Sequence, residues 1–257
     1  MWIPRISVAW ALTVGRQDAN ETCMAKSSSN SNGRCRPSFD LESAGIAAGH
    51  GPVAGIDEAG RGPWAGPVVA AAVILQASTI PDGLDDSKAL DAARREALYE
   101  ALVASGAVIG VGIADVERID RMNILNATLW AMAEAVRDLK IRPRLALVDG
   151  NRPPQLLCRT RTVVGGDATC VSIAAASIVA KVTRDRLMVG LGKLHAGYGF
   201  ERHKGYGTAE HAMALEALGV TRHHRRSFEP VRRALESGRA GVEPAPAVAS
   251  SSETGLG

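Results

Sequence analysis

The run Pro67 to Leu75 (PVVAAAVIL) is apolar throughout and rich in β-branched residues, the signature of a buried strand. Aromatic residues make up only 4% of the chain. A core must therefore be assembled from Ala, Val, Leu and Ile, which suits small-residue helices packed closely on a sheet. Other short apolar runs alternate with helical patterns. Val53 to Asp57 reads as a strand that ends in acid, followed by turn chemistry at Gly60-Arg61-Gly62-Pro63. A hairpin is expected to join it to the buried strand.

Further strands are expected at Val108–Ile113, Leu145–Val148 and Thr162–Val164. Helices are expected at Ala92–Ser105, Asn123–Lys140, Val171 to about Gly190, and Thr208–Leu218, with a short last helix entered at Pro230. Leu125, Leu129, Met132, Val136 and Leu139 share one helical face. Ala174, Ala175, Ala176 and Ala180 allow another helix to lie close to a sheet. Thr208 is the expected N-cap and Gly219 the stop of a third helix. The interleaving defines an α/β domain with a mixed sheet.

Residues 16 to 50 are rich in Ser, Asn, Gly and Ala, and the tail from about Ser237 is rich in Gly, Pro, Ala and Ser. Such compositions do not bury enough apolar surface to order themselves. The expectation is a disordered extension over 1–50, a catalytic domain over 51–236 and a disordered tail over 237–257. The 257-residue chain carries a net charge of +3, too mild by itself to name a partner. Cys23, Cys35, Cys158 and Cys170 form no C-x-x-C pair, so reduced thiols in a cytoplasmic protein are expected. No run approaches the roughly 18 apolar residues of a membrane helix. The opening Met1–Gly15 imitates a signal peptide but offers no cleavage site, and reads as an extended start.

Acids stand where a buried strand ends. Asp57 and Glu58 close the first strand, Asp149 closes the fourth, and Asp167 precedes the Ala-rich helix. Carboxylates gathered at strand ends repel one another unless a cation lies between them. Hard cations such as Mg²⁺ or Mn²⁺ take oxygen ligands and keep waters for phosphate chemistry. Each acid also has an ordinary reading: a loop residue, or, for Asp167, an N-cap. Spacing alone stops at a candidate metal site.

The motifs around these acids resemble ribonuclease HII. Gly55-Ile56-Asp57-Glu58-Ala59-Gly60-Arg61-Gly62 is similar to that family's opening signature, and Asp86-Ser87-Lys88-Ala89-Leu90 to its D-S-K-x-L segment. Asn123–Thr128 with Ala131-Met132, Asp149-Gly150-Asn151, Ser172–Asp185, His203–Thr208 and His224–Phe228 follow in the family's order, over roughly residues 53 to 233. The resemblance implies a ribonuclease H-like fold with a small helical C-terminal region. It implies Asp57, Glu58 and Asp149 as metal ligands, with Asp167 as a fourth catalytic acid and Mn²⁺ or Mg²⁺ as cofactor. It implies that Gly60, Arg61, Gly62 and Tyr206 sense a 2′-hydroxyl, the group that separates RNA from DNA. The implied activity is hydrolysis of RNA paired with DNA and incision 5′ of embedded ribonucleotides, by a monomer with no membrane contact. Gly165 departs from the pattern, since the family often has Lys there.

Lys181, Arg184 and Arg186, on the long helix, are candidate phosphate contacts, although Lys181 could equally pair with an acid, and the role of Asp185 is open. Residues 200–233 hold seven Lys or Arg against four Glu, a local +3, and read either as a duplex-holding segment or as a solvated face. The histidines there lack finger spacing, so zinc is not expected. A hybrid-binding protein with a degenerate site would have lost an acid, and none is lost. A nucleotide-binding enzyme would complete G-x-G-x-x-G around Gly60-Arg61-Gly62 or Gly110-Val111-Gly112, and neither does.

Overall fold

The computed structural model describes residues 36–238. The expectations for residues 1–35 and 239–257 lie outside the described residues. In chain order the elements are α1 (Asp40–Ala47), β1 (Val53–Ala59), β2 (Val68–Ile74), α2 (Ala92–Ala104), β3 (Val108–Ala114), α3 (Val116–Met122), α4 (Ile124–Asp138), β4 (Leu145–Asp149), β5 (Arg159–Val163), α5 (Val171–Leu194), α6 (Phe200–His203), α7 (Ala209–Leu218) and α8 (Glu229–Glu236).

The strands form one mixed sheet in the order β3-β2-β1-β4-β5. β1, β2 and β3 pair antiparallel, whereas β1–β4 and β4–β5 are parallel. Every residue of β2 is buried because both faces are covered. Val68, Ala70 and Ala72 meet Ala131, Met132 and Ala135 of α4, while Ala71 and Val73 meet Ala175, Ile178 and Val179 of α5. The scarcity of aromatics thus matches two closely seated helices. Gly110 and Gly112 on β3 mark how close: a Cβ at either would lie 2.2 or 2.0 Å from a carbonyl oxygen of α4. Packing, rather than a phosphate, explains this glycine pair.

Residues 40–47, expected within a disordered extension, form α1, so the folded unit begins before residue 51. Composition concealed the reason. Leu41 packs with Val53, Leu147 and Ile173, and the buried Glu42 accepts the Ser172 backbone N–H at 2.8 Å, satisfying a donor in the first turn of α5. At the other end, α8 stops at Glu236 and residues 237–238 form a turn. β1 and β2 pair as the expected antiparallel hairpin. Residues 60–67 make its loop, and Arg184 and Arg225 hold it from inside. Strand β5 starts three residues earlier than its β-branched stretch suggests. α3 and α6 are additional helices, each too short to show an apolar period. Thr208 caps α7 as expected, accepting the His211 N–H at 3.2 Å, and Gly219 follows its last residue.

Candidate active site

Parallel pairing of β1 with β4 sets Ile56 beside Val148, so the next residues, Asp57 and Asp149, reach the same level on neighbouring strands. Alternation gives them the same sheet face, beneath α5. Asp149 ends its strand and accepts the Gly166 N–H at 2.7 Å, which draws in the short 3₁₀ turn Gly166–Ala168 and with it Asp167. Glu58 follows Asp57, and its N–H donates to the Asp57 carboxylate at 2.7 Å. Sheet register and one hydrogen bond therefore bring together acids from three separate segments.

Their electrostatics is unfavourable as it stands. Burial pushes the Asp57 carboxyl well up, and the charges of Glu58 and Asp149 push it further; the Glu58 N–H and the Ser177 hydroxyl oppose this. Glu58 is raised by burial against the pull of Arg61, and Asp149 by burial against the Gly166 N–H. Two protein cations reach in. Arg61 donates to Glu58 at 3.1 Å, and Lys88 donates to Asp167 at 2.9 Å. Burial alone would lower the Lys88 ammonium, and Asp167 outweighs it, leaving it raised. Among the described residues no three His, Cys, Asp or Glu side chains are already gathered around one ion position. The donor set is nonetheless all carboxylate oxygen, the chemistry of a hard divalent cation.

Lys88 and Ser177 were not singled out from the sequence as site residues. The signal for Lys88 was the D-S-K-x-L segment: its Ser87 hydroxyl meets that of Ser177 at 2.7 Å, anchoring the segment beside Asp57. Asp167 does not cap α5. The N-cap position is Cys170, which makes no side-chain cap. Gly165 adopts a left-handed φ of 65° with open space around it. The ammonium beside Asp167 comes from Lys88, far away in sequence.

The Gly60-Arg61-Gly62 loop and Tyr206 also meet. A Cβ on Gly62 would stand 3.7 Å from the Tyr206 ring, and that ring is 46% exposed beside the loop. Arg184, expected as a phosphate contact, instead turns inward and holds the arrangement from below. It is 1% exposed, and its guanidinium donates to the carbonyls of Pro67 (3.0 Å), Ala65 (3.3 Å) and Lys204 (3.0 Å). Arg225, also buried, donates to Gly60 (2.6 Å), Arg61 (2.9 Å), Gly66 (3.0 Å) and Pro67 (3.2 Å). Lys181 pairs with Asp185 at 2.6 Å, which settles Asp185 as its partner and occupies its ammonium. Much of the basic C-terminal segment is likewise engaged internally: Arg202 with Glu201 and Glu210, Arg232 and Arg233 with Glu229.

A mixed sheet of this order, flanked by helices and carrying acids at adjacent strand ends, defines the ribonuclease H-like class. The ribonuclease HII family profile matches residues 54–231. A ribonuclease HII of Azorhizobium caulinodans is 63% identical over 195 residues, covering 76% of this chain and 75% of that one. One from Xanthobacter autotrophicus is 57% identical over 208 residues, covering 81% and 82%. Among solved structures, the ribonuclease H2 of Pyrococcus horikoshii superposes with a TM-score of 0.61 at 28% identity, over 73% of this chain and 98% of that one. The chain belongs to the ribonuclease HII family, and so is a metal-dependent endoribonuclease, a hydrolase.

Proposed function

We propose that the protein hydrolyses the RNA strand of RNA–DNA hybrids and incises duplex DNA 5′ of an embedded ribonucleotide, leaving 3′-hydroxyl and 5′-phosphate ends. One observation carries this reading: Asp57, buried, and Asp149, half-buried, stand level on adjacent parallel strands and repel each other, an arrangement that a bound cation would relieve. Asp57, Glu58 and Asp149 would hold it, with Asp167 as a fourth acid. The oxygen-only donors suit Mg²⁺ or Mn²⁺, two per site during the reaction. Bound there, such ions supply an activated water and stabilise the leaving oxygen.

The protein's own groups do the rest. Arg61 and Lys88 hold Glu58 and Asp167 in place beside the site. The glycines of residues 60–62 let the backbone come close to a nucleotide, whose 2′-hydroxyl can both donate to and accept from it. Tyr206 offers a ring face and a hydroxyl beside that backbone. All four acids come from one chain, so we take the working unit to be a monomer. The thiols of Cys158 and Cys170 are free, which fits a reducing cytoplasm. No described helix is long and apolar enough to cross a membrane.

The test is a DNA duplex carrying one ribonucleotide, incubated with Mg²⁺, with Mn²⁺ and with chelator. Incision directly 5′ of the ribonucleotide, abolished by chelator, is expected. Absence of incision by folded protein in both metals would leave a hybrid-binding protein as the better account.

A further inference from the structure

The outer edge of the sheet carries positive charge that no ion pair among the described residues neutralises. Between residues 139 and 166 stand Lys140, Arg142, Arg144, Arg152, Arg159 and Arg161, against a single acid, Asp149. Among the described residues none of the six forms an ion pair. In the C-terminal segment, by contrast, Arg202, Arg232 and Arg233 are tied to glutamates of that segment, and Arg225 to loop carbonyls. Unpaired arginines on an outer strand repel one another unless an external anion is present.

Register decides where that anion would lie. β5 is the outermost strand, and its pairing sets Arg159 beside Leu145, Arg161 beside Leu147 and Val163 beside Asp149. Alternate residues share a face, so Arg159 and Arg161 lie on the face that carries Asp149 and Asp57. Both arginines are exposed. At about 3.3 Å per residue they stand roughly 7 and 13 Å before the level of Asp149. A duplex strand advances about 3.4 Å of axis per phosphate, so a duplex running along β5 would meet Arg161 and Arg159 two to four nucleotides from the cut. Next to them, between α1 and β5, lies an open hollow of about 500 Å³ lined by Ala44, His50, Leu145, Arg159 and Arg161. His50 meets Arg159 there at 3.2 Å, adding a ring nitrogen to the rim.

We propose that the exposed β5 edge is a phosphate-binding rail, on which Arg159 and Arg161 hold the backbone of the substrate duplex on one side of the cleavage site. This rests on the nucleic-acid reading above. Both residues are exposed on an edge strand, so the double variant Arg159→Ala/Arg161→Ala keeps its core. Binding to an RNA–DNA hybrid would be measured in calcium from 50 to 200 mM salt. Each lost phosphate contact flattens the log–log salt slope by about 0.9. Over that range wild type should therefore lose about twelvefold more affinity than the double variant. Arg94→Ala/Arg137→Ala removes equal charge elsewhere and should leave the slope unchanged. A second arm trims the duplex from either side of the cut. The difference between wild type and variant should vanish when one particular side is removed and persist when the other is.

Equal slopes for wild type and the β5 variant would overturn the rail, as would a loss indifferent to which flank is trimmed or one reproduced by the control pair. An edge that serves an acidic protein would give the first of these results. If wild type neither binds nor cuts the hybrid, it is the underlying function that fails.

Discussion

Asp57 combines two properties that a single substitution separates. As a carboxylate it is buried among like charges, and its raised pKa means that ionisation destabilises the metal-free fold at neutral pH. As a candidate ligand it is needed for the reaction. Asp57→Asn should therefore abolish cleavage, by at least about 10³-fold given the scale of metal catalysis, while raising the melting temperature in chelator. Wild type should gain more from added Mn²⁺ than the variant does. A variant that melts lower than wild type in chelator would contradict the electrostatic account. Arg225 is the converse case, a buried cation pressed down to about 9 by burial and by neighbouring Arg184, whose acceptors are loop carbonyls. Lysine keeps the charge but cannot span the carbonyls of Gly60, Arg61, Gly66 and Pro67 at once. Arg225→Lys should cost about 3–5 kcal/mol, the scale for disrupting a buried, hydrogen-bonded charge, read as a fall in the urea midpoint. It should also weaken discrimination between a ribonucleotide and a deoxynucleotide at the junction, because the loop beside Tyr206 loses its brace.

At the scale of elements, the α4–β3 contact and the open side of α5 predict opposite signs for the same kind of change. Gly112→Ala would put a Cβ 2.0 Å from the Ala131 carbonyl oxygen and 2.8 Å from the Ala135 nitrogen, all backbone. Overpacking of this sort costs about 1–3 kcal/mol and more where backbone cannot yield. Gly190→Ala, within α5 and facing open space, should stabilise by about 0.5–1 kcal/mol through helix propensity. Denaturant unfolding of both variants checks the pair. The same geometry shows what was legible in advance. β2 and α4 stood out because burial imposes an apolar run on the one and a 3.6-residue stripe on the other. β5 did not, because an outer strand need not be apolar: Arg159 and Arg161 begin it, and only its β-branched end carried a strand signal. α1 was hidden because it docks through one apolar side chain, Leu41, and through Glu42, a charged residue that accepts a backbone N–H of α5, too little to show as an apolar stripe in a Gly- and Ala-rich segment. Likewise Asp57, Glu58, Asp149 and Asp167 could be named from motifs, whereas the inward role of Arg184 could not, since an arginine on a helix carries no mark of whether it faces phosphate or loop carbonyls.

Across the whole molecule, acid titrates two regions in opposing directions. His211 and His224 are fully buried and joined Nε2 to Nε2 at 3.0 Å. The Thr221 N–H donates to His224 Nδ1 at 3.0 Å, so His224 Nε2 carries the proton given to His211, whose Nδ1–H is left for the Tyr206 carbonyl at 2.9 Å. A second proton on either ring breaks this chain, and burial lowers the pair to about 4 for His211 and about 3 for His224. An unfolded histidine titrates near 6.5. Below that value the unfolded chain binds protons that the fold refuses, so stability present above pH 6.5 is lost on acidification toward pH 4 and then 3. The slope is up to about 1.4 kcal/mol per pH unit for each ring. The site carboxylates act the other way. Asp57, Glu58 and Asp149 are raised, so the fold takes up protons before the unfolded chain does, and stability is regained as pH falls through their folded values. Melting curves between pH 7.5 and 4.5 in chelator separate the two. Wild type should lose stability with acid, Asp57→Asn should lose it more steeply, and His211→Gln/His224→Gln less steeply. Because His211 holds the backbone of Tyr206, the same acidification should loosen the loop that carries Tyr206 before the sheet melts. Tyr206 is well exposed, so its quenching by iodide should rise at a higher pH than the global transition. Coincident changes would instead mean that loop and sheet unfold as one unit.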